Sequence, residues 1–129
     1  MEIHRVRMAD VSATALARAL DAISGNPDRV VRNGVLDGAD PASFVERIET
    51  GTDAAQGVRD TDLVVYVVPE RAELKYELFR VLDAEAPPNA VLASNTSSIS
   101  ITEIAARTSR PDSVIGMHFI RCRSCRSWR

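Results

Sequence analysis

One segment limits the possible folds of this chain more than any other, the apolar run TDLVVYVVPE at residues 61–70. The run is almost continuous and rich in β-branched residues, which is typical of a strand that lies in a parallel sheet and is covered on both faces. An amphipathic pattern follows at 71–86 and predicts a helix directly after the strand. The residues predicted to face inward on this helix are Leu74, Leu78, Val81 and Leu82. A buried strand that leads into a helix is the building unit of α/β proteins.

Apolar patterns of the same two kinds alternate along the rest of the chain. Further strands are predicted at 3–10, within 87–95 and at 113–119, and further helices at 12–24, 28–34, 40–48 and 100–108. Ser12 is a candidate N-cap of the first helix, and Ser100 with Glu103 forms a capping box for the last. Residues 49–53 are predicted to form a short link. Strands that are separated by helices predict an α/β fold with a parallel sheet.

Composition and charge argue against several function classes. The 129 residues suit one domain, and a formal net charge of −2 gives no reason to expect nucleic acid or an anionic membrane as a partner. The sequence has no run of about 18 apolar residues that would predict a transmembrane helix, and residues 1–10 lack the apolar core of a signal peptide. Cys122 and Cys125 are the only cysteines, too few for a disulfide framework. We therefore expect a protein of the reducing cytoplasm.

Polar residues come directly after the predicted strands, where parallel sheets bind their ligands. They are Asp10, Glu70, the SNTSS stretch at 94–98 and His118. Each also has a purely structural explanation. Asp10 is an acid at a helix N-terminus, and Glu70 is a helix cap followed by a solvated Lys75. The SNTSS stretch is a turn with helix-capping residues, and His118 is a core residue of an apolar strand. Taken singly, these residues leave both explanations open.

Taken together, the stretches DLVVYVVPE, ASNTSSISITEIAARTSRPDS and VIGMHF resemble the NAD-binding domain of the 3-hydroxyacyl-CoA dehydrogenase family. The resemblance runs from about residue 3 to residue 119, and its most specific parts are NTSS, ITEIA, RP and GMHF. It implies a Rossmann-type parallel sheet flanked by helices, NAD as the cofactor and an acyl-CoA as the substrate. Members of the family are dimeric.

The resemblance also implies a role for each matching residue. His118, in the motif HF, corresponds to the catalytic base, and Ser97, the first serine after NT, corresponds to a catalytic residue that contacts both substrate and nicotinamide. The implied cofactor-binding residues are Asp10, Val67, Glu70, Lys75 and Ser97. Asp10 among them corresponds to the acid that binds the adenine ribose.

These residue types suit the oxidation of a (3S)-3-hydroxyacyl thioester to the 3-oxoacyl thioester in fatty-acid metabolism. A hydride passes from C3 to the nicotinamide, and the hydroxyl proton must leave at the same carbon. An imidazole exchanges protons near neutral pH and can accept this proton. A serine hydroxyl can hydrogen-bond the same oxygen and hold it within reach.

Several features depart from the family pattern. The sequence lacks the first strand and the Gly-rich turn that holds the pyrophosphate of the dinucleotide at a helix N-terminus. In the strand order 3-2-1-4-5-6 the missing strand is a central one. We therefore expect the strands near Val6 and Val65 either to pair directly or to leave sheet edges open. In addition, Tyr66 stands where the family has an acid, and Asn33 stands where many members carry a lysine proposed to contact CoA.

The chain changes character after Ile120. Residues 121–129 hold four arginines, both cysteines and the only tryptophan, whereas the family continues with PVPVM and a glutamate that orients the histidine. Codons exist for IRCRSCRSWR whose shifted frame reads PVPVMQVVE, so we interpret the tail as a frameshift product. We predict a partial NAD-binding domain at 1–119 and an aberrant, disordered tail at 120–129, without the family's dimerisation domain. The single CxxC motif does not indicate a metal site.

The sequence leaves three hypotheses. The first is a truncated dehydrogenase domain that by itself has little or no turnover and weak affinity for NAD. The second is a non-catalytic remnant or interaction module that complements a separately encoded fragment. The third, which has the least support, is a small metal- or nucleic-acid-binding protein built on the tail at 121–129.

Overall fold

The computed structural model describes residues 5–25 and 45–118. The chain divides into two compact units, Met1–Gly57 and Val58–Arg129. The predicted helix at 28–34, Asn33 and the tail at 120–129 lie outside the described residues. Each unit has its own parallel strands.

The first unit pairs two short parallel strands. Its elements are β1 (Val6–Ala9), α1 (Ala13–Ser24), β2 (Ile48–Gly51) and α2 (Ala54–Gly57). The side chain of Ser12 accepts a hydrogen bond from the main-chain N–H of Ala15 at 3.2 Å, which confirms the predicted N-cap of α1. Leu16 is the buried residue of this helix.

The strand β2 was not predicted from the sequence. Residues 40–48 were expected to form a helix and 49–53 a link, but Ile48 opens a strand that pairs in parallel with β1. The segment carries no apolar alternation, and what fixes it is the pairing with a strand about 40 residues away. Arg7 lies opposite Glu49 in this register, forms an ion pair with it at 3.2 Å and also donates to the carbonyl of Gly57 at 2.9 Å.

The second unit has a three-stranded parallel sheet. Its elements are β3 (Leu63–Tyr66), α3 (Ala72–Glu85), β4 (Val91–Asn95), α4 (Ile101–Ala105), a 3-10 turn (Pro111–Ser113) and β5 (Val114–Met117), with strand order β3-β4-β5. Ser100 caps α4 by accepting the N–H of Glu103 at 3.4 Å, as its sequence predicts. The α/β class and the parallel pairing are therefore confirmed.

The core of the second unit lies between one face of this sheet and the helices α3 and α4. Its largest fully buried apolar side chains are Phe79, Leu82, Leu92 and Ile104. The predicted inward face of α3 was partly wrong, because Val81 is 42% exposed whereas Lys75, Tyr76 and Phe79 are buried. The amphipathic pattern misplaced this face because two of its buried residues are polar. Glu70 satisfies the buried ammonium of Lys75, and Glu103 accepts the buried hydroxyl of Tyr76 at 2.8 Å.

The other face of β3 is exposed, contrary to the prediction of a strand covered on both faces. Leu63, Val65 and Val67 alternate along it and are 49%, 40% and 63% exposed. Within the described residues β1 pairs with β2 and β3 pairs with β4, in separate sheets. Direct pairing of the strands near Val6 and Val65 is therefore not found among the described residues.

The helices between residues 5 and 25 and between residues 45 and 118 are short or mixed in polarity. None of them is both long enough and apolar enough to cross a bilayer.

Candidate functional site

A cluster of polar side chains lies where β3 and β4 end. Glu70 comes four residues after β3, and the loop Thr96–Ser98 comes directly after Asn95, the last residue of β4. The two strands are parallel neighbours, with Tyr66 opposite Ser94, so both segments leave the sheet at the same edge. This edge is where the sequence predicted a site.

The carboxylate of Glu70 is the centre of the cluster. One oxygen accepts hydrogen bonds from the hydroxyls of Thr96 and Ser98, the latter at 2.9 Å, and from the main-chain N–H groups of Ser97 and Ser98 at 3.3 and 3.2 Å. The other oxygen accepts from the ammonium of Lys75 at 2.8 Å. The hydrogen bonds from Lys75 and then Thr96 hold the pKa of Glu70 well below its usual range and outweigh the opposite effect of its partial burial. Glu70 is therefore a carboxylate at neutral pH.

Lys75 reaches this cluster from the interior of the unit. Its side chain is fully buried, in contrast to the solvated position that one interpretation of the sequence gave it. Its ammonium donates to Glu70 and, at 3.0 Å, to the carbonyl oxygen of Asn95 at the end of β4. A buried ammonium requires such partners, because an unpaired charge is strongly disfavoured in the interior.

Ser97 and His118 are presented at the same edge of the sheet. β4 and β5 are parallel neighbours with Asn95 opposite Met117, so Ser97 lies two residues past one strand and His118 one residue past the next. Both residues are exposed. His118 is therefore not the buried core residue of the structural interpretation, and an exposed imidazole and an exposed hydroxyl lie just beyond adjacent strands.

Two further predicted cofactor residues lie at strand ends. Val67 comes directly after β3 and is 63% exposed. Asp10 comes directly after β1 in the other unit, where its exposed carboxylate accepts the N–H of Ser12 at 2.8 Å. The latter contact agrees with the structural explanation of an acid before a helix, and it leaves the carboxylate at the surface.

Sequence reasoning assigned no individual role to the hydroxyls of Thr96, Ser98, Ser94 and Tyr66. Thr96 and Ser98 were predicted as helix-capping turn residues, although their hydroxyls donate to Glu70. Ser94 and Tyr66 face each other in register, and neither buried hydroxyl has a hydrogen-bond partner among the described residues. Burial raises the pKa of Tyr66 to about 12. The signal that pointed toward this pair was Tyr66 itself, at a position where the family has an acid.

Comparison with known proteins identifies the sequence family. Residues 2–122 match the family described as 3-hydroxyacyl-CoA dehydrogenase, NAD binding domain. The chain is 38% identical over 115 residues to a probable 3-hydroxybutyryl-CoA dehydrogenase of Bacillus subtilis and 39% identical over 121 residues to the mitochondrial hydroxyacyl-coenzyme A dehydrogenase of Rattus norvegicus. These alignments cover 89% and 90% of this chain but 40% and 38% of those proteins.

A solved structure shows the same fold. The crystal structure of 3-hydroxybutyryl-CoA dehydrogenase from Escherichia coli K12 superposes with a TM-score of 0.81 at 39% identity. The superposition covers 92% of this chain and 25% of that chain. The chain thus spans less than half of each of these relatives.

Proposed function

Because the chain belongs to the NAD-binding domain family of the 3-hydroxyacyl-CoA dehydrogenases, we propose that it carries the proton-accepting part of an NAD-dependent 3-hydroxyacyl-CoA dehydrogenase. One observation supports this most directly. Ser97 and His118 are exposed just beyond paired strands whose register sets Asn95 opposite Met117. The substrate we propose is a (3S)-3-hydroxyacyl-CoA, and the product is the 3-oxoacyl-CoA.

The two side chains divide the work on the substrate's C3 oxygen. The hydroxyl of Ser97 hydrogen-bonds this oxygen and orients it, while the imidazole of His118 accepts its proton. When bound, NAD supplies the acceptor for the hydride that leaves C3. Ser97 and His118 therefore take part in the proton transfer, and the cofactor accepts the hydride.

The described residues fit some parts of the dinucleotide. Asp10 offers an exposed carboxylate, which can accept hydrogen bonds from ribose hydroxyls, and Val67 offers an exposed apolar surface at the sheet edge. We propose Asp10 for the adenine ribose and Val67, Glu70 and Ser97 for the nicotinamide side, where the fully buried Lys75 acts through its ion pair with Glu70. Since the 129-residue sequence contains no Gly-x-Gly turn, we expect this chain alone to bind NAD weakly and to turn over little or no substrate.

Binding can be measured on the chain as it exists. In a ¹⁵N-labelled sample, NAD⁺ should shift the amide signals of Val67, Ser97 and His118 with a dissociation constant of about 1 mM or weaker. Ser97→Ala should reduce these shifts, whereas the matched control Ser24→Ala, at the end of α1 where the hydroxyl donates to the carbonyl of Leu20, should not. Shifts confined to other residues would contradict the proposal, and ordinary turnover of NADH with acetoacetyl-CoA would contradict the expected inactivity.

Catalytic roles can be tested in a chimera. Residues 2–122 of this chain would replace the matching segment of the Bacillus subtilis relative. The chimera should reduce acetoacetyl-CoA with NADH, and His118→Gln should lower kcat by about 100-fold or more. An active chimera that tolerates His118→Gln would show that the imidazole does not act as the base.

A second candidate function is that of an interaction module that complements a separately encoded fragment. It is favoured by the unpaired edge of β3 within the described residues and by the exposed row Leu63, Val65 and Val67. If a neighbouring reading frame encodes a strand with a Gly-rich turn, co-expression should give a stable complex of the two chains. Absence of a complex would leave the first proposal as the better one.

A further inference from the structure

We propose that Glu70 is a positioning residue that sets the conformation of the loop Thr96–Ser98 and thereby presents the hydroxyl of Ser97. Five donor groups surround its carboxylate: the ammonium of Lys75, two hydroxyls and two main-chain N–H groups. The loop is therefore folded around an internal anion. This role is additional to the cofactor contact proposed above for Glu70.

The way in which the loop is held explains why Ser97 is the residue presented. Thr96 and Ser98 direct their hydroxyls to Glu70, whereas Ser97 is bound to it through its main-chain N–H. The hydroxyl of Thr96 also accepts the N–H of Ile99 at 3.1 Å, which fixes the end of the loop. Ser97 is thus restrained by its backbone while its side chain stays exposed.

The buried Lys75 determines where the carboxylate must be. Its fully buried ammonium requires a charged partner, and Glu70 supplies one at 2.8 Å. The same ammonium binds the carbonyl of Asn95, the residue before the loop. The chain between Asn95 and Ser98 is consequently held at both ends by one ion pair.

A neutral amide cannot replace this carboxylate. All five groups around Glu70 are donors, so the amide nitrogen of Glu70→Gln would place a donor against either Lys75 or the loop. The loop hydrogen bonds would also lose their charge assistance. Glu85→Gln is the matched control, because Glu85 is the last residue of α3 and forms an exposed ion pair with Arg59 at 3.2 Å.

Amide hydrogen exchange on the full chain tests the proposal. In Glu70→Gln, the exchange rates of the Ser97 and Ser98 amides should rise about tenfold or more beyond any rise at Leu82 and Leu92, whose rates report the global stability that the weakened pair with Lys75 lowers. Glu85→Gln should change the exchange rates of neither the loop amides nor the core amides. Equal Ser97 and Ser98 rates in the two variants, or a rise at Leu82 and Leu92 as large as the rise at Ser97 and Ser98, would overturn the positioning role.

A second variant keeps the test decisive if Glu70→Gln does not fold. Ser98→Ala removes one hydroxyl donor and leaves the Lys75–Glu70 pair in place. It should accelerate exchange at Ser97 by a few-fold with unchanged core amides, and an unchanged Ser97 rate would overturn the proposal.

The significance of Ser97 rests on the proposed function, but the exchange measurement does not. In the chimera with the Bacillus subtilis relative, Glu70→Gln should lower kcat more than it raises KM for acetoacetyl-CoA. If the loop loosens in the variant but NAD⁺ shifts no signal at Ser97 in the wild type, the proposed function fails and the positioning role stands. If NAD⁺ binds at Ser97 but the loop does not loosen in the variant, the positioning role fails and the proposed function stands.

Discussion

Replacing Arg110 by Met should destabilise the second unit strongly, because Arg110 joins α3 to the turn that leads into β5. Its guanidinium pairs with Asp83 at 2.7 Å and also donates to the carbonyls of Asp83, Ala86 and Pro87. The side chains of Arg110 and Asp83 are only 14% and 13% exposed. The turn beyond Arg110 opens β5, the strand that ends next to His118.

The expected loss of unfolding free energy follows from the burial of this ion pair. Arg110→Met keeps much of the side-chain volume but removes the cationic partner of a nearly buried carboxylate, which retains only its hydrogen bonds from Ser109, and it removes a donor from three carbonyls. Breaking such a pair costs about 3–5 kcal/mol. Arg59→Met removes an ion pair to the same helix whose side chains are 63% and 37% exposed, so it should cost at most about 1 kcal/mol. The two variants make the same chemical change in a buried and an exposed pair.

Urea unfolding monitored by far-ultraviolet circular dichroism compares them. With an m-value of about 2 kcal/mol/M, Arg110→Met should lower the midpoint by about 2 M and Arg59→Met by about 0.5 M or less. If Arg110→Met costs no more than Arg59→Met, the network around Asp83 does not stabilise the fold in the way its geometry implies.

The pH dependence of stability at acidic pH tests the Asp83–Arg110 pair independently. Burial alone would raise the pKa of Asp83, but the hydrogen bonds from Ser109 and Arg110 outweigh it and lower that pKa. A lowered carboxyl pKa contributes stability that is present above the unfolded value of about 3.9 and is lost as the pH falls through the folded value. The difference in unfolding free energy between wild type and Arg110→Met should therefore be largest at neutral pH and should shrink below about pH 4.

Three further perturbations test the core and its tyrosines. Phe79→Ala should cost about 3–5 kcal/mol in urea unfolding, because Phe79 is fully buried and packs edge-on against Tyr66 with ring centroids 5.9 Å apart; Val81→Ala, on the same helix and 42% exposed, should cost less than about 1 kcal/mol. Gly116→Ala would bring a Cβ within 2.9 Å of Ile101, so a loss of about 1–2 kcal/mol is expected, and Ile101→Val should recover part of it. Burial raises the pKa of Tyr66 to about 12, and the hydrogen bond to Glu103 raises that of Tyr76, so an absorbance titration should show no phenolate with a midpoint near 10 in the folded protein. Stability should accordingly be lost as the pH rises above about 10, and a normal titration of both tyrosines would contradict their described environments.

Local sequence patterns predicted most of the second unit because its elements are encoded locally. The apolar run that contains Tyr66, the amphipathic helix after it and the N-cap at Ser100 are each complete within a short stretch, and the structure confirms the strand, the helix and the cap. The strand β2 was missed for the opposite reason, since Ile48–Gly51 is defined by its pairing with β1. The buried face of α3 was misplaced because Lys75 and Tyr76 are polar residues whose burial depends on partners elsewhere in the chain.

The same distinction applies to the site. Which residues stand at the strand ends could be predicted, because parallel strands of an α/β sheet end at one edge and the chain order fixes the residues that come after each strand. How they are held could not be predicted, because the contact of Glu70 with Ser98 joins segments 28 residues apart and depends on the burial of Lys75. An acid five residues before a lysine is consistent with two solvated charges or with one buried pair. Only the packing of α3 against β4 distinguishes them, and it makes Glu70 the fixed anion around which the Ser97 loop is folded.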